Sequence, residues 1–208
     1  MLILLDGTRT VDQVVAAMVH RFPAHLAADV RTALDTPKVV AATRRLRAHN
    51  EDVEITAEQA AVEEPEQLRR LVNDYDLLVV AADAPKQIRD WANGACLATG
   101  TPWVYGGYHG PMLMAGAYRP GTGPCYRCTE AAPAELEITE WPGEVPAFQA
   151  AGPVTSAGFA VAHLTMSLLT GVPSLPHDRE YRLNTVNWRS QILPAPSAGC
   201  PACLQPCQ

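Results

Sequence analysis

This chain of 208 residues has no long apolar run and no cluster of basic residues. No stretch reaches the roughly 20 apolar residues that a membrane-spanning helix needs. The net charge of −6 makes nucleic acid an unexpected partner, because backbone phosphates are bound by basic patches. The apolar stretch 2–5 is followed at once by Asp6 and is too short for a signal-peptide core. We therefore expect a cytoplasmic protein without a membrane or nucleic-acid partner.

Charged residues are also few, at 18%, whereas apolar residues make up 48% of the chain. These proportions are typical of a globular protein and argue against disorder. The length suits one substantial domain, or one domain with a small appendage.

Six cysteines are present, and four of them form two Cys-x-x-Cys pairs, Cys125 with Cys128 and Cys200 with Cys203. Two such pairs are typical of a tetrahedral zinc site with four sulfur ligands, which is closed and hence structural. The alternative is two disulfides or four unrelated thiols. A reducing cytoplasm disfavours disulfides, and we expect Cys96 to be a buried small hydrophobe.

The first 34 residues predict a short strand at 2–5 and two helices. Thr10 is a good N-cap for a helix that Pro23 ends, and a second helix covers 25–34. This order suggests a small winged-helix-like segment. The alternative is a plain helical cap on the main domain.

Helices and strands alternate through the rest of the chain. Helices are predicted at 37–48, 65–73, from 85 onwards and at 154–170, and strands at 53–55, 76–82, 102–106, 112–118, 181–186 and 189–193. This order indicates an α/β fold with a Rossmann-like parallel sheet, helices on both faces and closing antiparallel strands. We expect Val39, Val40 and Leu46 to face inward. The helix 154–170 is apolar on nearly all sides and should be buried, with a subunit interface as one way to cover it, and His163 should be packed inside.

Asp83 directly follows the apolar strand 76–82. Ligands of parallel sheets bind at the carboxyl ends of strands, where a carboxylate can hold Mg²⁺ on nucleotide phosphates. The alternative is that Asp83 caps a helix beginning at Pro85.

The segment from Asp76 to Asp83, followed by Arg89, Asn93 and the run 120–128, resembles the ThiF family of ubiquitin-activating-type adenylyltransferases. The resemblance extends from about Asp35 to Cys203. Trp91-Ala-Asn93 and Gly106-Gly107 are most similar to the subgroup found in ribosomal peptide natural-product (RiPP, TOMM) clusters, which often works with YcaO-type cyclodehydratases. The stretch from Leu4 to Asp12 resembles a PqqD-like module that binds precursor leader peptides.

The resemblance implies domains at 1–34, a partial peptide-recognition segment, and at 35–208, a ThiF-like domain with a structural zinc. Family members use ATP to adenylate a carboxylate and commonly form homodimers. By residue match, Lys38 and Arg89 would neutralise phosphate charge and Asp83 would hold Mg²⁺. ATP–Mg²⁺ binding would therefore depend on Lys38 and Asp83.

Several parts of the family pattern are missing. No Gly-x-Gly-x-x-Gly turn, whose backbone N–H groups would cradle ATP phosphates, occurs in the sequence. Ala84 replaces an asparagine, and Ala147-Phe-Gln149 stands where some members carry a thioester cysteine. The chain reads as though the first βαβ unit were absent.

Two functions remain open, and whether the chain is an enzyme is undecided at this point. The missing turn favours a degenerate adenylyltransferase scaffold that binds a precursor leader peptide and works with a partner such as a YcaO-type enzyme. The alternative is an active ATP-dependent adenylyltransferase acting on a peptide or carrier-protein carboxylate. A decayed gene product with only residual folding is a third possibility.

Overall fold

A computed structural model describes residues 11–21, 27–130, 151–193, 200 and 202–203. The chain divides into two compact units, Met1–Ala61 and Val62–Gln208, and each is described by itself. The predicted strand 2–5, the cap at Thr10, and the Ala147–Gln149 position lie outside the described residues.

The first unit contains three helices, α1 (Val11–Arg21), α2 (Ala27–Asp35) and α3 (Lys38–His49). α1 and α2 pack against each other, and an ion pair between Arg31 and Asp12 joins them. Val15 on α1 is buried. The three helices predicted in this region are therefore confirmed.

The predicted inward face of α3 is wrong. No residue of α3 is buried, and Val40 and Leu46 are 49% and 56% exposed. The strand predicted at 53–55 is also wrong, since residues 54–63 form neither helix nor strand.

The second unit is built on a mixed five-stranded sheet in the order β1-β2-β3-β4-β5. The strands are β1 (Leu78–Val80), β2 (Trp103–His109), β3 (Met112–Tyr118), β4 (Arg179–Asn184) and β5 (Ser190–Leu193). β1 and β2 are parallel because helix α5 (Ile88–Thr99) crosses between them. The remaining pairs are antiparallel, as predicted for the closing strands. Parallel pairing in the described sheet is limited to β1–β2, which is less than predicted.

Helices cover both faces of this sheet. Trp103 and Tyr105 alternate with Val104 along β2, so the aromatic pair faces one side and Val104 the other. Helix α4 (Pro65–Val72) and α5 pack on the aromatic side. The short helix α6 (Tyr126–Glu130) follows β3. Helix α7 (Ala151–Thr170) packs on the opposite side of the sheet from α4 and α5.

Within this chain α7 is buried on one side only, and burial of its other side across a subunit interface stays a prediction. Leu164 and Leu168 pack on the sheet, whereas Phe159, Met166 and Leu169 are 75%, 54% and 54% exposed. His163, predicted to be packed, is exposed as well. A helix on a single sheet buries one face only, and no described element covers the other face of α7.

None of the helices in the described part of the chain has the length and apolar character that a bilayer crossing requires.

Candidate metal centre and nucleotide-site residues

The four cysteines of the two Cys-x-x-Cys pairs meet in one cluster. Cys125 directly precedes the short helix α6 (Tyr126–Glu130) and Cys128 lies within it, and the Cys128 N–H donates to the Cys125 carbonyl at 3.0 Å. This tight turn points both sulfurs the same way. Cys200 and Cys203 come from the segment after β5 and are partly exposed, whereas the first pair is buried.

Three of the separations between the sulfurs fit a tetrahedral ion. The Sγ atoms of Cys125 and Cys128 are 3.8 Å apart, those of Cys125 and Cys200 3.9 Å, and those of Cys128 and Cys203 3.6 Å. Zinc–sulfur bonds of 2.3 Å in a tetrahedron would place the sulfurs about 3.8 Å from one another. These separations exceed the S–S bond length of about 2.05 Å, and all four cysteines are free thiols rather than disulfides. The cluster can hold a metal ion.

The thiols differ in their readiness to lose a proton. Burial raises the pKa of Cys125. For Cys200, partial burial acts in the same direction, but N–H groups of Ala202 and Cys203 stabilise the thiolate and lower its pKa to about 7. A divalent cation favours the thiolate form of every ligand, so it would offset the burial of Cys125.

Asp83 and Arg89 are brought together at the carboxyl end of β1. Their closest side-chain atoms, Oδ1 and Nη2, are 3.7 Å apart, and the aspartate is 73% exposed while the arginine is 21% exposed. Helix α5 begins at Ile88 with Gln87 as its N-cap. The alternative that Asp83 caps this helix is therefore wrong.

The Arg89 side chain packs against β2 beside Gly107, which leaves room for it because glycine has no side chain. Its guanidinium carbon is 4.9 Å from the centre of the Tyr105 ring, within the range of a cation–π interaction. A Cβ placed on Gly107 would lie 2.5 Å from Arg89 Nη2. The sequence singled out the Gly106-Gly107 pair, but this relationship to Arg89 was not predicted, because it joins residues on different elements.

A cleft of about 180 Å³ opens beside this ion pair. Asp83 and Ala81 line it from the end of β1, Gly106 from β2, and Ala157 and Val161 from α7. The cleft lies where open parallel sheets bind their ligands.

Lys38 belongs to the first unit, where it is the exposed first residue of α3. The partial positive charge at a helix N-terminus does not favour a cation, so this position gives the lysine no local stabilisation. The glycines near the cleft also do not form a phosphate turn. Gly106 and Gly107 are in β2, and none of the described glycines opens a helix directly after a strand.

A sequence model of the ThiF family matches residues 11–202. The chain belongs to the ThiF family. The match begins inside the segment 1–34, so the domain boundary at residue 34 stays a prediction.

Among curated ThiF-type proteins, the chain is 35% identical over 94 residues to the sulfur carrier protein ThiS adenylyltransferase of Bacillus subtilis (strain 168). This alignment covers 45% of the chain and 27% of that protein.

Solved structures support the same fold. The E. coli MccB structure matches with a TM-score of 0.64 and 21% identity over 90% of this chain and 54% of MccB. E. coli MccB with ATP gives a TM-score of 0.57 at 21% identity, covering 81% and 51%. The MccB complex with N-formylated MccA gives 0.58 at 21% identity, covering 81% and 52%. The ThiF-type fold is thus confirmed, and the chain spans about half the length of these structures.

Proposed function

We propose that this ThiF family chain serves in ribosomal peptide natural-product biosynthesis as a scaffold that binds a precursor leader peptide. In this proposal it presents the peptide to a partner enzyme, such as a YcaO-type cyclodehydratase. The proposal rests on a contrast between two features. The four cysteines form a cluster that can hold a metal ion, whereas the sequence has no phosphate-binding turn. The similarity to MccB, crystallised with N-formylated MccA, supports a peptide as the ligand.

Peptide binding is assigned in this proposal to the segment 1–34, the partial PqqD-like module. The two described helices of that segment, α1 and α2, are consistent with such a module. Modules of this kind bind a leader by adding it as a strand to their sheet.

The test is a binding titration with the full chain. Short open reading frames beside the gene supply the candidate leader peptides, each labelled with a fluorophore and compared with a scrambled version of the same composition. Fluorescence anisotropy should show at least tenfold tighter binding of one native leader. Equal binding of native and scrambled peptides would rule out the scaffold function.

A second candidate function is ATP-dependent adenylation, favoured by the Asp83–Arg89 pair beside the cleft. Adenylation joins a carboxylate oxygen to the α-phosphorus of ATP and releases pyrophosphate. Asp83, exposed and free of any capping role, would hold the Mg²⁺ that accompanies ATP. Arg89 would neutralise phosphate charge. The same role for Lys38, in the first unit, rests on the family resemblance alone.

Calorimetry with millimolar ATP–Mg²⁺ separates the two candidates. Adenylation predicts measurable ATP–Mg²⁺ binding that Asp83→Asn abolishes. Asp74→Asn is the matched control, because Asp74 is another exposed aspartate but lies before β1, at the opposite end of the strand. Absence of ATP binding by the unmodified chain would exclude adenylation by this chain alone.

We also propose that zinc is the metal of the four-cysteine cluster and that the protein is a homodimer. Four thiolates in tetrahedral arrangement favour zinc or an iron–sulfur cluster, and a closed zinc site is structural. The exposed apolar side of α7 supports the homodimer.

A further inference from the structure

Asn93, in the middle of α5, touches the four-cysteine cluster although it is distant from it in sequence. It is 3% exposed and contacts both Cys125 and the next residue, Tyr126. Nδ2 lies 3.7 Å from Cys125 Sγ, and Oδ1 accepts the backbone N–H of Tyr126 at 3.2 Å.

The orientation of this amide follows from chemistry. The Tyr126 N–H can only donate, so the oxygen of Asn93 must face it. The NH₂ group is then directed at Cys125 Sγ, where a thiolate is an acceptor. Both ends of the Asn93 amide therefore have a partner, as a buried amide requires.

The electrostatics of the cluster give this contact a consequence. Four thiolates around one divalent cation carry a net charge of minus two, in a place where Cys125 and Cys128 are buried. An N–H group that donates a hydrogen bond to a thiolate stabilises part of that negative charge and fixes the orientation of the cysteine side chain. Such outer contacts commonly change metal affinity 10- to 100-fold.

A second contact aligns the same two helices. Asp90 lies one turn before Asn93 on α5, and its Oδ1 is 2.6 Å from Nε of Arg127, one of the two residues between Cys125 and Cys128. α5 therefore holds α6 at two neighbouring points. The sulfur contact is made by Asn93 alone of these residues.

We propose that Asn93 is a positioning residue of the metal centre, and that its N–H···S hydrogen bond to Cys125 sets both the affinity and the electronic environment of the bound ion. The inference rests on the proposal that the four cysteines bind a metal. A purely structural asparagine would only satisfy the Tyr126 N–H.

Two substitutions separate these roles. Asn93→Asp keeps the size of the side chain and an acceptor for Tyr126, but replaces the donor at Cys125 with a negatively charged oxygen. Asn93→Leu removes both contacts at similar volume. Thr99→Val is the control, because Thr99 hydrogen-bonds Ala95 and Thr101 at the far end of α5, about 9 Å along the helix from Asn93.

The full-length proteins are loaded with Co²⁺, and the sulfur-to-cobalt charge-transfer band is recorded. Zinc affinity is then measured by competition with a chromophoric chelator. We expect Asn93→Asp to bind zinc about 10- to 100-fold more weakly and to shift the band, with Thr99→Val unchanged in both. Asn93→Leu should weaken binding less than Asn93→Asp, since it adds no charge.

Wild-type affinity and an unshifted band in Asn93→Asp would overturn the proposal, and so would an equal loss in Thr99→Val. If the wild-type protein bound neither Co²⁺ nor Zn²⁺, the metal assignment itself would be wrong. If a variant does not fold, an NMR measurement on the wild-type protein tests the proposal instead. In wild-type protein loaded with an NMR-active cadmium isotope, the Asn93 side-chain proton should show scalar coupling to the metal, and its absence would also overturn the proposal.

Discussion

Two adjacent glycines in β2 allow other parts of the chain to approach the sheet closely. A Cβ on Gly106 would overlap Cγ2 of Val161 on α7, whereas a Cβ on Gly107 would meet the tip of Arg89. The Arg89 side chain is long and can move, but Val161 is held by its helix. At the residue scale, Gly106 is therefore the less tolerant of the two positions.

We expect Gly106→Ala to lower the free energy of unfolding by about 1–3 kcal/mol, because α7 must move away from the sheet. Gly158→Ala is the control in the same cleft: it lies inside α7 and its Cβ would meet nothing within 4 Å. Removing a glycine from a helix interior should raise stability by about 0.5–1 kcal/mol. Urea denaturation measures the free energy of unfolding of both variants. Equal changes in the two variants would contradict the inference that Gly106 is needed for close packing of α7.

The buried thiol of Cys96 makes stability depend on alkaline pH. Burial raises its pKa from 9.0 to about 12. The folded protein thus keeps a proton that the unfolded chain loses, so stability is intact below pH 9.0 and declines as the pH rises toward 12. Tyr126, whose pKa burial also raises to about 12, adds to the decline at higher pH.

Cys96→Ala should make this decline shallower, although it removes a buried sulfur and lowers stability by about 1 kcal/mol at neutral pH. Denaturation midpoints of the metal-loaded wild type and variant, measured on both sides of pH 9.0, give the slope of stability against pH for each protein. An unchanged slope in the variant would show that Cys96 does not titrate as inferred.

At the scale of the element, α7 has two apolar sides and only one of them packs on the sheet. Its exposed side carries Phe159, Met166 and Leu169, which recur at helical spacing. Large exposed apolar patches commonly mark interaction surfaces. Substitutions on the exposed side of α7 therefore test the proposed homodimer most directly.

Replacing Phe159 and Met166 together with glutamate should convert the proposed dimer to a monomer without unfolding it, because both side chains are already exposed. Size-exclusion chromatography with light scattering gives the mass, and circular dichroism checks the fold. His163→Ala is the matched control, an exposed α7 position without apolar surface, and should stay dimeric. A wild-type monomer would refute the proposed dimer.

For the whole molecule, the four-cysteine cluster connects distant parts of the second unit. Cys125 and Cys200 are 75 residues apart in sequence, yet their sulfurs are 3.9 Å from each other. A metal bound there would hold the segment after β5 against α6. The free energy of metal binding would then contribute to the stability of the folded protein.

Metal removal by a chelator should therefore lower the melting temperature of the second unit, and Cys203→Ser should reproduce the effect. Cys96→Ala, which leaves all four ligands in place, should retain metal and respond to the chelator as the wild type does. Differential scanning calorimetry and elemental analysis measure the two quantities. Full metal loss with unchanged thermal stability would argue against a structural role.

Local patterns in the sequence were enough to predict most elements of the fold. The apolar run before Asp83 predicted β1, and the helical spacing after residue 153 predicted α7, because periodicity reflects which side of an element is covered. The two Cys-x-x-Cys pairs predicted the metal cluster, since ligand spacing is itself a local property. Exposure was harder to predict: Val40 on α3 and Phe159 on α7 are apolar yet uncovered, because a residue's type does not reveal whether a partner element is present.

Taken alone, the sequence determined most of the helices and strands, the two Cys-x-x-Cys pairs and the lack of a phosphate-binding turn, because each of these is read from neighbouring residues. Only the tertiary structure decided that the four sulfurs lie within 4.8 Å of one another and that Arg89 fits beneath Gly107. It also decided that the Asn93 amide reaches Cys125, 32 residues away. These relationships join separate elements, and packing of the sheet with its helices sets their distances.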